Sequence, residues 1–115
     1  MPGTILIAAL LAGAAPPSPA SGEETAIPRI RNFIEWVADG KSAIYIRGDT
    51  GKWYHARTRG PCARLRPHIS LSFVGATAGQ LDRYGAIVAE GWRCQLASVV
   101  QSGPPPGYGR RHAAR

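Results

Sequence analysis

Apolar and polar residues alternate over most of the middle of the chain, with the two-residue period of a strand. The cleanest run is "HISLSFVG" (68–75), where Ile69, Leu71 and Phe73 face one way and Ser70 and Ser72 the other. "SAIYIR" (42–47) is rich in β-branched and aromatic residues, "GDTG" (48–51) supplies a turn, and "KWYHART" (52–58) runs back. Together these three stretches predict a hairpin. "AIVAE" (86–90) predicts another strand, and Gly91 turns it into "WRCQLASVVQ" (92–101), where Trp92, Cys94, Leu96 and Val100 alternate along one face. "RIRNFIEWVA" (29–38) carries two periods: Ile30, Phe33, Ile34 and Val37 have helical spacing, while Ile30, Ile34 and Trp36 share a strand face. The Asp39–Gly40 pair after it is a favoured two-residue hairpin connection and tips the reading to a strand or irregular edge segment. "GPCARLRP" (60–67) breaks the pattern and predicts a short helical turn around residues 63–65. No internal repeat appears. The whole predicts an all-β class: one small domain of five to six short antiparallel strands, either barrel-like (OB-like or SH3-like) or a strongly curved sheet.

Both ends fall outside this pattern. The apolar run from Ile5 to Ala15 is too short for a bilayer, which needs about 20 residues, but it suits the core of a secretory signal. "AGA" at 12–14 offers a cleavage site, although no Lys or Arg precedes the run. No Cys follows it, so a lipoprotein anchor is not expected. The organisation read from the sequence is a signal peptide (1–14), a Pro/Ser-rich linker (15–26), a β-rich domain (27–101) and a disordered basic Pro/Gly-rich tail (102–115). That places the protein in the periplasm or outside the cell, with no transmembrane segment.

Two cysteines fit such a compartment. Cys62 and Cys94 are the only thiols, an even count in a chain read as exported. Joining them closes a loop of about 33 residues, worth about 4 kcal/mol in the chain-entropy picture. In a domain this small, that decides whether the fold holds.

The segments "IRNF" (30–33), "GKWYHA" (51–56), "GPCARL" (60–65), "ISLSF" (69–73) and "LDRYGAIVAEGWRC" (81–94) follow one another in the chain. In that order they resemble an uncharacterised family of small exported proteobacterial proteins, a domain of unknown function with two cysteines. The resemblance covers about residues 28–101. It implies an exported β-rich domain with one intrachain disulfide, mapped to Cys62 and Cys94, and it implies no enzyme activity.

Charge narrows the partners. Twelve Arg and two Lys stand against seven carboxylates, a formal net charge of +7. Such a balance attracts anionic surfaces and polymers. The basic residues are scattered instead of clustered as a nucleic-acid footprint would be, so nucleic acid is not the expected partner. An anionic envelope component or an envelope protein is.

Chemistry is sparse. His55, Cys62 and His68 are spaced H-x6-C-x5-H with Cys94 far downstream, without the close ligand pairs of a zinc site. No metal and no cofactor are expected. There is no G-x-S-x-G elbow, a disulfide removes the thiolate that Cys–His catalysis requires, and "GDTGK" lacks the length and setting of a P-loop. The candidate binding surface is instead the 42–58 hairpin, where Trp53, Tyr45, Arg47 and Arg57 combine aromatic and cationic groups. Alternation puts Tyr54 and Ala56 inside, Trp53 partly covered, and His55 and Arg57 in water. The expected function is a non-catalytic, envelope-associated or binding role. The alternative is an enzyme, or a subunit modulating one, using Asp82 with His55 or His68.

Overall fold

The computed structural model describes residues 23–75 and 79–109. The predicted signal peptide and most of the predicted linker lie outside the described residues. Six antiparallel strands form one sheet: β1 (Glu35–Ala38), β2 (Ala43–Arg47), β3 (Trp53–Thr58), β4 (Leu71–Val74), β5 (Ala86–Ala89) and β6 (Trp92–Ser102). Their order is β1-β2-β3-β6-β5-β4, and the sheet curls into a half-barrel. Two three-stranded meanders are therefore joined along β6, which pairs with β5 over Trp92–Gln95 and with β3 over Leu96–Ser102.

The segment 29–38 resolves into both of its periods in turn. Ile30–Asn32 form a 3-10 turn and Glu35–Ala38 form edge strand β1. The β5–β6 connection is the tightest in the molecule. Glu90 and Gly91 both have positive φ, 50° and 86°, the pair of values that a two-residue type I′ hairpin requires. The β1–β2 connection is longer than the predicted two-residue turn: Asp39 N–H donates to the Ala43 carbonyl across residues 39–42. "HISLSFVG" also pairs over a shorter stretch than its alternation suggests, because His68 has φ 69° and the strand starts only at Leu71.

The concave face is the core. Ile44 and Ile46 lie opposite Ala56 and Tyr54, Val99 lies opposite Ala56, and Ile87 lies opposite Cys94. All of these are buried except Cys94, which is partly so. Tyr54 and Ala56 are inside, as alternation predicts. One expected position moves. The β3–β6 register slips between Arg57 and Thr58, so Ser98 pairs with Arg57 and Leu96 with Thr58, leaving Ala97 over. This bulge reverses the faces beyond it: Val99 joins Leu96 in the core, and Val100, expected beside Leu96, lies on the convex face opposite His55, where it is also buried.

Among the described residues no α-helix covers the concave face; loops and a 3-10 turn do. Ile27 and Ile30 come from the entry segment, and Cys62, Leu65 and Ile69 from the β3–β4 crossover. The entry segment starts earlier than the predicted boundary at 27. Thr25 N–H bonds the Val99 carbonyl, the Glu24 carboxylate accepts from Val99 N–H, and Ile27 pairs with Leu81. These contacts fill the gap where β6 leaves β5. Phe33 meets Phe73 edge-on at 5.0 Å, closing the curl between the first and last strands of the sheet.

The Cys62–Cys94 disulfide is formed, with 5.7 Å between the Cα atoms. It fastens the crossover to β6, helped by Cys62 N–H donating to the Lys41 carbonyl and Arg59 N–H to the Gln95 carbonyl. Gly85 marks the tightest backbone approach. A Cβ there would stand 2.5 Å from the Val74 carbonyl oxygen and 2.8 Å from Leu81 Cδ1.

Two outcomes follow. Replacing both Cys62 and Cys94 by Ala lowers the unfolding free energy by about 3–4 kcal/mol, read from urea unfolding of the oxidised protein and the variant. Gly85→Ala costs about 1–3 kcal/mol through overpacking, whereas Gly60→Ala, with nothing within 4 Å of the added carbon, leaves the urea midpoint nearly unchanged.

Candidate functional site

The residues singled out on the hairpin share the convex face of the sheet. Tyr45 lies opposite His55, and Arg47 opposite Trp53. Only Arg57 stands fully in water. Trp53 retains 7% exposure because the end of the chain covers it. Pro105 is buried, the Tyr108 ring packs edge-on against Trp53 at 4.9 Å, and the Tyr108 hydroxyl donates to the Glu35 carboxylate. Glu35 also accepts from Arg47 at 3.4 Å, and the Arg47 guanidinium lies 5.9 Å from the Trp53 ring. Much of the stretch read as a disordered tail, residues 102–109, is therefore part of the body. Its remainder, 110–115, lies outside the described residues. The four residues make a packed contact in which the aromatic surface is already occupied.

The groups of the catalytic alternative separate. The Asp82 carboxylate accepts the Tyr84 N–H, and the Asp82 carbonyl accepts from Gly85 N–H, an ordinary turn role. His55 is not in open water. Its side chain is 12% exposed, Nε2 is 2.8 Å from Asp39, and its ring lies 4.8 Å from Tyr45. His68 sits exposed in the crossover. Among the described residues no hydrogen bond joins Asp82 to either histidine. The hollow of about 210 Å³ beside Asp82 is lined by Glu24, Thr25, Ala26, Arg83 and Tyr84, with no histidine. No group of three or more His, Cys, Asp or Glu side chains suited to a metal ion occurs among the described residues. Nor is any described helix long and apolar enough to cross a membrane.

A different constellation forms where β3 exits and the β5–β6 hairpin turns. Ala43 pairs with Arg57, Thr58 N–H bonds the Ser42 carbonyl, and Cys62 N–H bonds the Lys41 carbonyl, so the β1–β2 loop reaches this end. The disulfide and the Arg59–Gln95 backbone bond bring "RGPCARLR" against "EGWRC". Lys41, Arg57, Arg59 and Arg93 are exposed, and among the described residues no carboxylate pairs with them. Arg66 and Arg64 share the Glu90 carboxylate at 3.1 and 3.9 Å. Trp92, 54% exposed, has the Arg64 guanidinium 5.5 Å from its ring centroid. The described residues hold eleven cations and seven carboxylates. Six of those cations, with Glu90 and Asp39, lie at this end, so the rest of the body is balanced, five against five. All of the net positive charge of the described body is concentrated here. Of the candidate binding residues Trp53, Tyr45, Arg47 and Arg57, only Arg57 belongs to this end.

No family model, curated protein or solved structure matches the chain. The site rests on its own geometry.

The convex-face cluster has a consequence in alkali. Donation to Glu35, then burial, holds the Tyr108 phenol above the ordinary 10.0, and burial, then the Asp39 charge, does the same for Tyr45. A phenol whose pKa is raised on folding contributes its stability in full below 10.0, and that stability is lost as pH rises through the higher folded value. Phenolate absorbance therefore lags behind free tyrosine in the native protein, the melting temperature falls over the same range, and Tyr108→Phe removes part of the lag.

Proposed function

We propose that this is an exported, disulfide-stapled β-domain with a non-catalytic role, binding an anionic envelope component through its basic end. The observation that carries the reading is the concentration of the body's net charge on one end, where four cations have no carboxylate partner. Guanidinium forks hold phosphate and carboxylate oxygens in pairs, and their charge speeds encounter with a polyanion. Export is supported by the apolar leader with its small-residue cleavage site and by the use of both cysteines in one disulfide. The family resemblance read from "GPCARL" and "LDRYGAIVAEGWRC" belongs to the same reading.

Binding to a soluble polyphosphate chain, followed by fluorescence anisotropy, tests the basic end directly. Affinity falls steeply with added salt as counterions are displaced. The triple change Arg57→Gln, Arg59→Gln, Arg93→Gln weakens it about ten-fold or more, while Arg31→Gln with Lys52→Gln, away from this end, leaves it within about two-fold. Equal affinities for the two variants overturn the reading.

A further inference from the structure

We infer that the anionic component is the phospholipid headgroup layer of a membrane, and that the β5–β6 hairpin tip docks into it with Trp92 as the anchor. This rests on the proposed anion-binding end and adds the partner. Trp92 sits directly after the two-residue turn, opposite Ala89, at the rim of the concave face. It is the exposed tryptophan of the described body: Trp53 is covered by Tyr108, and Trp36 lies partly buried on β1. An indole has a broad apolar body and one N–H donor, which suits the boundary between acyl chains and headgroups.

The unpaired charges lie at the same end of the sheet. Arg93 follows Trp92 in the strand, and Arg59 is held to β6 by its backbone bond to Gln95. Arg57 lies on the neighbouring strand, opposite Ser98, and Lys41 is carried by the loop that bonds Cys62. Because the rest of the body is balanced, the field of an anionic surface turns this end toward it. Glu90 at the tip opposes such an approach by its sign, but it is already engaged by Arg64 and Arg66. Long Arg side chains can lie along the apolar boundary while their heads stay among phosphates.

A single exposed indole at an end of the sheet that carries cations from four separate segments differs from a nucleic-acid channel, where several aromatics stack successive bases along a charged track. The geometry therefore favours a surface over a threaded strand.

The test uses the oxidised full chain with vesicles of phosphatidylcholine, alone or with a quarter phosphatidylglycerol. The chain is expected to co-sediment with the anionic vesicles, and release by salt is expected to be partial. Tryptophan emission shifts to the blue on binding, and Trp92→Phe removes that shift. Trp92→Ala lowers partition about ten-fold without changing the melting temperature, as befits an exposed side chain. Binding to polyphosphate without binding to the anionic vesicles overturns this inference and leaves the anion-binding reading standing. Vesicle binding with no blue shift and no loss in Trp92→Ala also overturns it, since contact is then through charge alone. Single-stranded RNA bound more tightly than the vesicles overturns it in favour of nucleic acid. Failure to bind polyphosphate, vesicles and RNA alike removes both readings together.

Discussion

The Cys62–Cys94 bond is the constraint on which the remainder of the molecule turns. A six-stranded half-barrel of this size has one apolar face to cover, and the described residues include no α-helix to cover it with. The β3–β4 crossover takes on part of that role with only Cys62, Leu65 and Ile69 reaching the core, while its other residues are exposed. So few apolar contacts give little with which to offset the entropy of fixing a dozen residues. The disulfide shortens the free chain in the unfolded state and attaches the crossover to β6, the strand that both meanders share. The backbone bonds from Cys62 to Lys41 and from Arg59 to Gln95 then fix where the crossover lies across the end of the sheet.

The same bond shapes the surface. Arg59, Arg64 and Arg66 are some thirty positions from Trp92 and Arg93 in sequence, yet each group flanks one half of the cystine. Bringing them together places like charges side by side, a repulsion that Glu90 relieves in part, through Arg64 and Arg66. Folding tolerates that repulsion at one end while the opposite end is neutralised by pairs such as Arg29–Asp49 and Arg47–Glu35. The guanidinium of Arg29 holds the Asp49 carboxyl below its usual range, chiefly by hydrogen bonding. Charge is therefore segregated in space although it is dispersed along the chain. That is why a reading of linear clusters found no footprint.

The all-β class, the central hairpin and the pairing of the two cysteines were legible because each depends on local pattern or on simple count. The inward set of β3, Tyr54 and Ala56, follows from pleat alone. Val100 could not be placed that way. A bulge adds one residue to one strand, and alternation has no mark for it when Ala97, Ser98 and Val99 are all small or apolar. The contacts of Tyr108 are illegible in the sequence for a related reason. "SGPPPGYG" has the composition of a linker, and Tyr108 is its one bulky apolar side chain, but that ring meets Trp53 and its hydroxyl meets Glu35, contacts set by tertiary position.

The contrast between Trp53 and Trp92 shows how the candidate site shifted. Both tryptophans head a strand and both have a cation next to them in the chain, Lys52 and Arg93, so the sequence offers little to rank them. What separates them is the cover available on each face. On the convex face, the chain end reaches Trp53 and reduces it to a packing residue, with Arg47 and Glu35 tied into the same contact. On the concave side, the crossover is drawn down onto Cys94 and puts Cys62, Leu65 and Ile69 against the core, while at the hairpin tip it supplies only the Arg64 and Arg66 guanidiniums and the Ser70 carbonyl. Trp92 lies two residues beyond the bridged cysteine and stays 54% exposed for that reason. The staple that completes the core thus also sets its limit. The large apolar side chain just past that limit has the Arg64 guanidinium over its ring and the unpaired Arg93 next in the chain.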